Sequence, residues 1–435
     1  MKIIRKIKNK QFILLGLFFV LFFLSYTKNV FLISDSDLFH GFERQPEGLV
    51  VGRLVRSAQD GLFSYGGLNG VNSADSVALS VEAHASDLAR QHDLYINHAD
   101  VPPYFRAYKS QSAGQALIMG ALQNVLPFDN VHKLAFFRGI NALLVALIFV
   151  LFGAWVYRNH GFLASLITLL LTFLSPWLNV FAHNLWWVLW NFYLPFLTML
   201  FLLEYRNKSP EKVSKGKIII AIFLAVFLKC FFSGFEFITT TLISAFVPVV
   251  YYGVKEKQSL RMFITDGVKY SLAMLAGVLA QMLILITQIR FLEGQFSDGV
   301  NHILTSFVRR SEVAPTDSQM SLFELIKAYL ANDAFALGFL PNNIPAYFGV
   351  LIIIAILALI LIYKKKKDLM KPLIITTAFS ILAPLSWLVI FKQHSIEHMH
   401  MDYIIWYIPF LLYVFCTVGV AVSLLISKKR KTELE

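Results

Sequence analysis

The sequence predicts an all-α polytopic membrane protein of about ten transmembrane helices, with a large first outer loop containing surface-lying helices. Three observations predict it. Hydrophobic residues make up 57% of the chain and charged residues only 15%, too apolar for an ordinary soluble domain. Apolar runs long enough to cross roughly 30 Å of hydrocarbon recur from end to end. Between them, clusters of Lys and Arg recur on what would be one side of a membrane, the pattern of retained cytoplasmic loops.

The runs fall near residues 12–33, 134–156, 162–180, 185–203, 218–235, 237–253, 271–290, 346–363, 373–391 and 403–427. Backbone inside hydrocarbon must satisfy its own polar groups, so each run reads as a helix. Long uniform runs without period-two alternation exclude a barrel. The first run has a basic start and an apolar core from about Phe12 to Ser25, extended by Val30–Ile33. It lacks a small-residue cleavage site and reads as a retained span rather than a signal peptide. The basic clusters are Lys2 to Lys10, Arg206 to Lys217, Lys255 to Lys269, Lys364 to Lys371 and Lys428 to Lys431. They predict that both termini are cytoplasmic, as an even number of spans requires. Residues 34–133 and 291–345 then form two outer loops of a single domain, 1–435, and 392–402 is a shorter outer turn.

Residues Ala113–Leu126 are apolar but short, and Gln115, Gly120 and Gln123 interrupt them. An eleventh span here would invert every later basic cluster, so the segment reads as an interfacial or re-entrant helix. Leu54, Val55, Ala58, Leu62 and Phe63 have helical spacing and predict a second helix lying on the membrane surface. Trp177, Trp186, Trp187, Trp190 and Trp406 fall toward outer ends, where amphipathic rings prefer to sit.

The net charge of +12 reads as the orientation signal rather than as a nucleic-acid footprint. Residues 34–133 carry seven Lys and Arg against eleven Asp and Glu, so the excess is confined to one face. The two cysteines, Cys230 and Cys416, lie in apolar runs, and no disulfide framework is indicated.

Three groups of residues can carry chemistry. Ser34-Asp35-Ser36-Asp37 follows the first span directly. Two carboxylates at i and i+2 can serve as a general base or share a divalent metal; Ser/Asp pairs also begin loops and cap helices. Glu43 and Glu47 add acid nearby without a meaningful spacing. The segment from Lys392 to Asp402 places His394, His398 and Asp402 one helical turn apart, on one face. That stack can bind metal, or grip phosphate when protonated; histidines also occur in ordinary interfacial turns. Finally, Arg138, Lys229 and Glu236 lie in or beside apolar runs, where charge is functional by default unless, as Lys229 can, it snorkels. Arg309 and Arg310 suit bidentate phosphate contact or a solvated pair. Lys109 sits in Tyr108-Lys109-Ser110-Gln111-Ser112-Ala113-Gly114, a donor-rich stretch that equally suits a helix cap.

This layout resembles the GT-C superfamily of polytopic glycosyltransferases that use lipid-phosphate sugars. One span, then a large outer loop opened by an acidic motif, is similar to Asp35 and Asp37 here. The Tyr108–Gly114 stretch is similar to a Tyr-x-Ser-x-x-Gly pattern late in that loop, with one residue more. Gly234–Thr239 and His398–Pro409 look like segments of bacterial members. The resemblance implies a polyprenyl-phosphate sugar donor and a cell-envelope glycan or glycolipid acceptor, with inversion at the sugar. It implies Asp35 or Asp37 as base, and Lys109, Arg138, Arg309, Arg310 and His394 around the leaving phosphate. Glu236, His398 and Asp402 complete the expected binding set. A divalent metal is used by some members and not by others. The outer loops lack an Asn-x-Ser/Thr sequon, which fits a bacterial inner membrane. The alternatives are an O-antigen polymerase or ligase, whose largest outer loop usually falls late in the chain, and a lipid-linked glycan transporter, for which matching repeats are missing.

Overall fold

The computed structural model describes residues 2–42, 44–74, 81–311, 320–335 and 346–432. It is helical throughout apart from two short antiparallel pairs. Helix α1 (Lys2–Lys28) leads into α2 (Ser36–Gly41), α3 (Arg44–Asp60), strand β1 (Gly70–Ser73), α4 (Val81–Ile96), strand β2 (Tyr104–Ala107) and α5 (Gly114–Gln123). Then come α6 (Asn130–His160), α7 (Phe162–Phe173), α8 (Pro176–Phe181), α9 (Trp190–Lys208), α10 (Lys215–Ser233), α11 (Ile238–Lys255) and α12 (Leu260–Glu293). The expected second loop holds α13 (Phe296–Ser311), α14 (Leu322–Leu330), β3 (Asp333–Phe335) and β4 (Ala346–Tyr347). The chain ends with α15 (Phe348–Ser380), α16 (Leu382–Ile390), α17 (Lys392–Glu397), α18 (Met399–Asp402) and α19 (Phe410–Thr432).

Among the described residues, seven helices are long and apolar enough to cross a membrane: 9–28, 130–160, 215–233, 238–255, 260–293, 348–390 and 410–427. The chemistry at their ends explains their limits. Ser214, Ser259 and Asp129 cap α10, α12 and α6 by accepting the N–H three residues on. Gly161, at φ 92°, separates α6 from α7, a conformation costly for any residue with a Cβ. Not every predicted run is one helix with the predicted bounds. The 162–180 run breaks before Pro176, which lacks the N–H that α7 would need to continue. The 185–203 run starts as a helix only at Trp190, because the Asn184 carboxamide captures the N–H groups of Trp186 and Trp187. The 346–363 and 373–391 runs are joined across the lysine cluster, where Lys366 leaves helical geometry at φ −149°.

Between α1 and α6, helix α3 is covered by protein along the face that the sequence suggested for the membrane surface. The predicted helix through Leu54 and Val55 is α3, and these side chains lie in the protein core. Phe63 is left outside the helix and exposed. Two buried arginines draw α3 inward. Arg56 bonds the Asn72 side chain at 2.8 Å and the Pro102 carbonyl at 2.7 Å, tying α3 to the β1–β2 hairpin. Arg53 bonds Ser57 at 2.9 Å and the Ser64 hydroxyl at 2.7 Å. Gly52 is required there: a Cβ would come 2.1 Å from the Gly70 carbonyl. The tryptophans that the sequence places toward outer ends pack partly or wholly into protein. Trp186, Trp187 and Trp406 are buried, with Trp187 stacked on Phe237 and Trp406 packed on Phe348.

Helix α12 packs on α10 through Gly277, where a Cβ would lie 2.7 Å from the Phe223 carbonyl oxygen and 3.1 Å from the Phe227 nitrogen. Both neighbours are backbone and cannot move aside independently. Gly277→Val should therefore cost about 1–3 kcal/mol and lower the melting temperature in detergent. Gly16→Ala, on an open face of α1, should be neutral or stabilising. Equal melting temperatures for the two variants would mean that α10 and α12 do not pack this closely.

Candidate functional site

The Ser34–Asp37 motif is fixed at its first residue. The buried Ser34 hydroxyl donates to Asn179 Oδ1 at 2.7 Å, and Asn179 Nδ2 donates to the Ser25 hydroxyl at 2.7 Å. Asn29 Nδ2 closes the turn on the Ser34 carbonyl. Asp35 then caps α2: its Oδ1 accepts the N–H groups of Asp37 at 2.9 Å and Leu38 at 3.0 Å. Asp35 and Asp37 are both exposed, with Asp37 in the first turn of α2.

In the first turn of the next helix, α3, Glu47 is 2% exposed. Its Oε1 accepts from Arg138 Nε at 3.1 Å and from a terminal nitrogen of the same guanidinium, and faces His92 Nε2 at 3.3 Å. Its Oε2 accepts the Leu185 N–H at 3.1 Å. Burial alone would raise this carboxyl's pKa, but Arg138 and His92 more than offset burial and hold it well below the usual range. Arg138 thus belongs to a centre of its own.

A second centre forms on the turn between α10 and α11. Gly234, at φ 58°, ends α10. A Cβ there would come 2.7 Å from Gln111 Cβ, so this turn lies directly against the Tyr108–Gly114 stretch. Lys229 does not snorkel. It is fully buried, and its Nζ donates to the Gly234 carbonyl at 3.0 Å and to that of Glu236. The Glu236 side chain then meets Arg310 at 2.6 Å through Oε1, and His394 Nε2 at 3.6 Å through Oε2. On its far side, His394 Nδ1 stands 3.9 Å from Asp402 Oδ1, and Asp402 Oδ2 accepts the Trp387 indole N–H at 2.8 Å. The predicted continuous helix is interrupted: His398, at φ −122°, separates α17 from α18. The one-turn spacing survives the break, and the His394 and His398 rings lie 4.7 Å apart.

These groups differ in protonation for reasons visible in their surroundings. Burial would raise Glu236, but Arg310, then His394 and Lys229, bring it below its ordinary value. Asp402 has no such cation, and burial pushes it well above its ordinary value. Burial pushes His394 down to about 4 against the pull of Glu236. The imidazole is therefore neutral at physiological pH in this setting. It can offer a phosphate a hydrogen bond, not the charge expected from its sequence position.

Two adjoining cavities border this cluster. The first, of about 370 Å³, is an apolar slot walled by Ile238 and Leu242 of α11, Leu275, Val278 and Leu285 of α12, and Phe307 of α13. Lys109, His302 and Arg310 also line it. The second, of about 720 Å³, is polar and lined by Arg106, Tyr108, Lys109, Glu293, His302 and Arg309. Lys109, Ser110 and His302 are common to both. Lys109 pairs with Glu293. Burial, then the charges of Lys109, Arg309 and Arg310, hold His302 below its ordinary value, which marks this region as electropositive.

Of the sequence candidates, Lys109, Arg309 and Arg310 line these two cavities; Glu236, His394, His398 and Asp402 line neither and form the cluster joined to the slot through Arg310. Asp35 and Asp37 line neither of them. Glu47, His302, Tyr108 and Glu293 carry weight that their spacing did not signal. Glu43 lies outside the described residues. Among the described residues, no three His, Cys, Asp or Glu side chains converge in a manner that could hold a metal ion. No family model, no curated protein and no solved structure matches this chain.

The two buried acids should respond oppositely to pH. Glu47 titrates lower folded than its unfolded value of 4.5. Its stabilisation is therefore fully present above that value and is lost as pH falls through the folded pKa. Glu47→Gln should cost roughly 1.5–3 kcal/mol near neutral pH, discounted because Arg138 reaches solvent, and should flatten the acid limb of a melting-temperature profile. Asp402 titrates higher folded than its unfolded value of 3.8. Its burial therefore costs more as pH rises above that value. Asp402→Asn, which keeps an acceptor for Trp387, should gain on the parent protein as pH rises above 3.8. Parallel profiles for parent and Asp402→Asn would show that Asp402 is ionised in the folded protein.

Proposed function

We propose that this chain is an inverting glycosyltransferase of the bacterial inner membrane. It takes a sugar from a polyprenyl-phosphate donor and passes it to a cell-envelope glycan or glycolipid acceptor at the outer face. One observation carries the reading: an apolar slot between helices long enough to span opens into an electropositive cavity. A polyprenyl phosphate sugar has this duality, a branched hydrocarbon ending in an anionic diester. Around the two cavities stand Arg106, Lys109, Arg309 and Arg310, against the carboxylates of Glu236 and Glu293. Two positive charges thus remain for a phosphate, and guanidinium groups suit its paired oxygens.

The topology that goes with this reading has ten crossings. A helix over 348–390 would be about 65 Å long, twice the hydrocarbon thickness, and it bends at Lys366 within the lysine run. Divided there, it gives two crossings; α7 with α8 and then α9 supply two more. Both termini and the lysine clusters then face the cytoplasm, and both cavities face outward.

In the reaction, the acceptor hydroxyl oxygen attacks the anomeric carbon and the bond from that carbon to the phosphate oxygen breaks. Polyprenyl phosphate leaves, and Lys109, Arg309 and Arg310 stabilise its growing charge. The hydroxyl proton passes to a carboxylate. The resemblance gives that role to Asp35 or Asp37. Asp35 Oδ1 is committed to the α2 cap, so we assign the base to Asp37, whose side chain is not spent on that cap; neither acid lines the two donor cavities, and the assignment requires the acceptor hydroxyl to approach from the α2 side.

The reading is tested by transfer from a polyprenyl-phosphate sugar in membranes, with the sugar chosen by comparing surface glycans of strains with and without this chain. Asp37→Asn should lower kcat by roughly 10²–10⁴-fold, while Lys109→Ala and Arg309→Ala should mainly raise the KM for donor. Loss of one sugar residue from the glycans supports the transferase. Shortened repeat polymers would instead indicate a polymerase, and lipid-linked precursor trapped inside would indicate a transporter. The crossings are checked separately by thiol labelling, because both native cysteines are buried. Ala99→Cys and Ser297→Cys should react from outside the cell, and Lys212→Cys should not.

A further inference from the structure

We propose that a third cavity, of about 760 Å³ and distinct from the donor groove, binds the phosphate of a second membrane lipid. It lies among α1, α2, α4, α6 and the 182–184 turn. Its positive groups are Lys28, Arg44 and Arg138, with His40, His92 and His183 beside them. Among the described residues, Glu47 is the one carboxylate in its wall, and both of its oxygens are already committed to Arg138, His92 and the Leu185 N–H. Lys28 and Arg44 therefore leave the cavity with excess positive charge.

A second observation is independent of charge. His92 is 1% exposed, and while its Nε2 faces Glu47, its Nδ1 has no hydrogen-bond partner among the described residues. A buried polar nitrogen without a partner is costly, and a phosphate hydroxyl or glycan hydroxyl entering the cavity would relieve it. A third concerns access. Phe23 and Leu24 of α1 and Ala135 and Gly139 of α6 line the same space, and both helices are long and apolar enough to span. Leu24 and Ala135 are exposed. A headgroup bound here can keep its chain in the hydrocarbon along α1 and α6.

This cavity shares no lining residue with the slot or the polar cavity. Helix α3 forms the wall between them, with Glu47 on one side and Leu49 on the other. Helix α2, which carries Asp37, forms a rim through Phe39 and His40. Resting on the transferase reading, the inference is that the acceptor is itself lipid-linked, so that the sugar passes from one lipid phosphate to a hydroxyl of a molecule whose own lipid phosphate is held in this cavity.

The test uses the full chain in phosphatidylcholine nanodiscs. One probe is polyprenyl phosphate carrying a diazirine near its phosphate; the other is phosphatidylglycerol with the same diazirine. After photolysis the labelled peptides are mapped by mass spectrometry. The polyprenyl probe should label two separate sets, one on α11–α13 and one on α1 and α6. The exposed double substitution Lys28→Glu/Arg44→Glu should cut labelling of α1 and α6 roughly tenfold and leave α11–α13 unchanged, which also shows that the variant is folded. Labelling on α11–α13 alone, or labelling of α1 and α6 that ignores the charge reversal, would overturn the second site. Equal labelling of α1 and α6 by phosphatidylglycerol would make it a site for bulk anionic lipid and overturn the acceptor role. Labelling of α1 and α6 without α11–α13 would uphold this site and sink the donor groove.

Discussion

A single buried carboxylate holds the architecture of both candidate sites. Glu47 joins α3 to α6 through Arg138, to α4 through His92, and to the turn before α9 through the Leu185 N–H. An ionised acid removed from water is tolerated only when its oxygens are fully engaged, and here they are. The same contact sets the position of the 184–187 turn, where Trp186 meets Tyr108 at 5.2 Å between ring centres. Tyr108 in turn lines the polar cavity. Tension at Glu47 would thus be felt on both faces of the wall that α3 builds.

The fold class was legible because its signal is long and redundant. A span of eighteen or more apolar residues is hard to mistake, and the lysine clusters add an independent constraint. The breaks were not legible. Pro176 and the Asn184 side chain interrupt apolar runs without changing their hydropathy, so composition passes over them. Helix α3 was misjudged for a related reason: amphipathic spacing states that one face is apolar, not whether lipid or protein covers it. Arg53 and Arg56 decide that, and their partners at Ser64, Asn72 and Pro102 lie beyond the helix. Among site residues, the Lys392–Asp402 spacing and the paired arginines stood out because they are dense in polar groups. Glu47 and His302 did not, since one acid before Gly48-Leu49-Val50-Val51 has no periodicity to mark it.

The cluster around Glu236 shows how one neighbourhood keeps like groups in unlike states. Glu236 and Asp402 are both acids removed from water, and His394 stands between them. Arg310 answers the charge of one, and nothing comparable answers the other. Among the described residues, three atoms in this row, Glu236 Oε2, His394 Nδ1 and Asp402 Oδ1, have no hydrogen-bond partner. Their separations of 3.6 and 3.9 Å exceed hydrogen-bonding range. A modest shift of α17 would bring them within reach, so this row is more compliant than the fully engaged Glu47 centre.

The clasp of Ser25, Ser34 and Asn179 has a consequence for synthesis. Ser25 and Asn179 are 154 residues apart, and translation at about 5–20 residues per second separates their emergence by roughly 10–30 s. For that interval α1 sits in the membrane with the polar groups of its final clasp still waiting for their partner. The newborn chain must satisfy them locally, through carbonyls of the same helix or through water at its end. The Asp35–Asp37 turn therefore reaches its final shape only after α8 arrives, and the acidic motif nearest the start of the chain is among the later parts of the molecule to be completed.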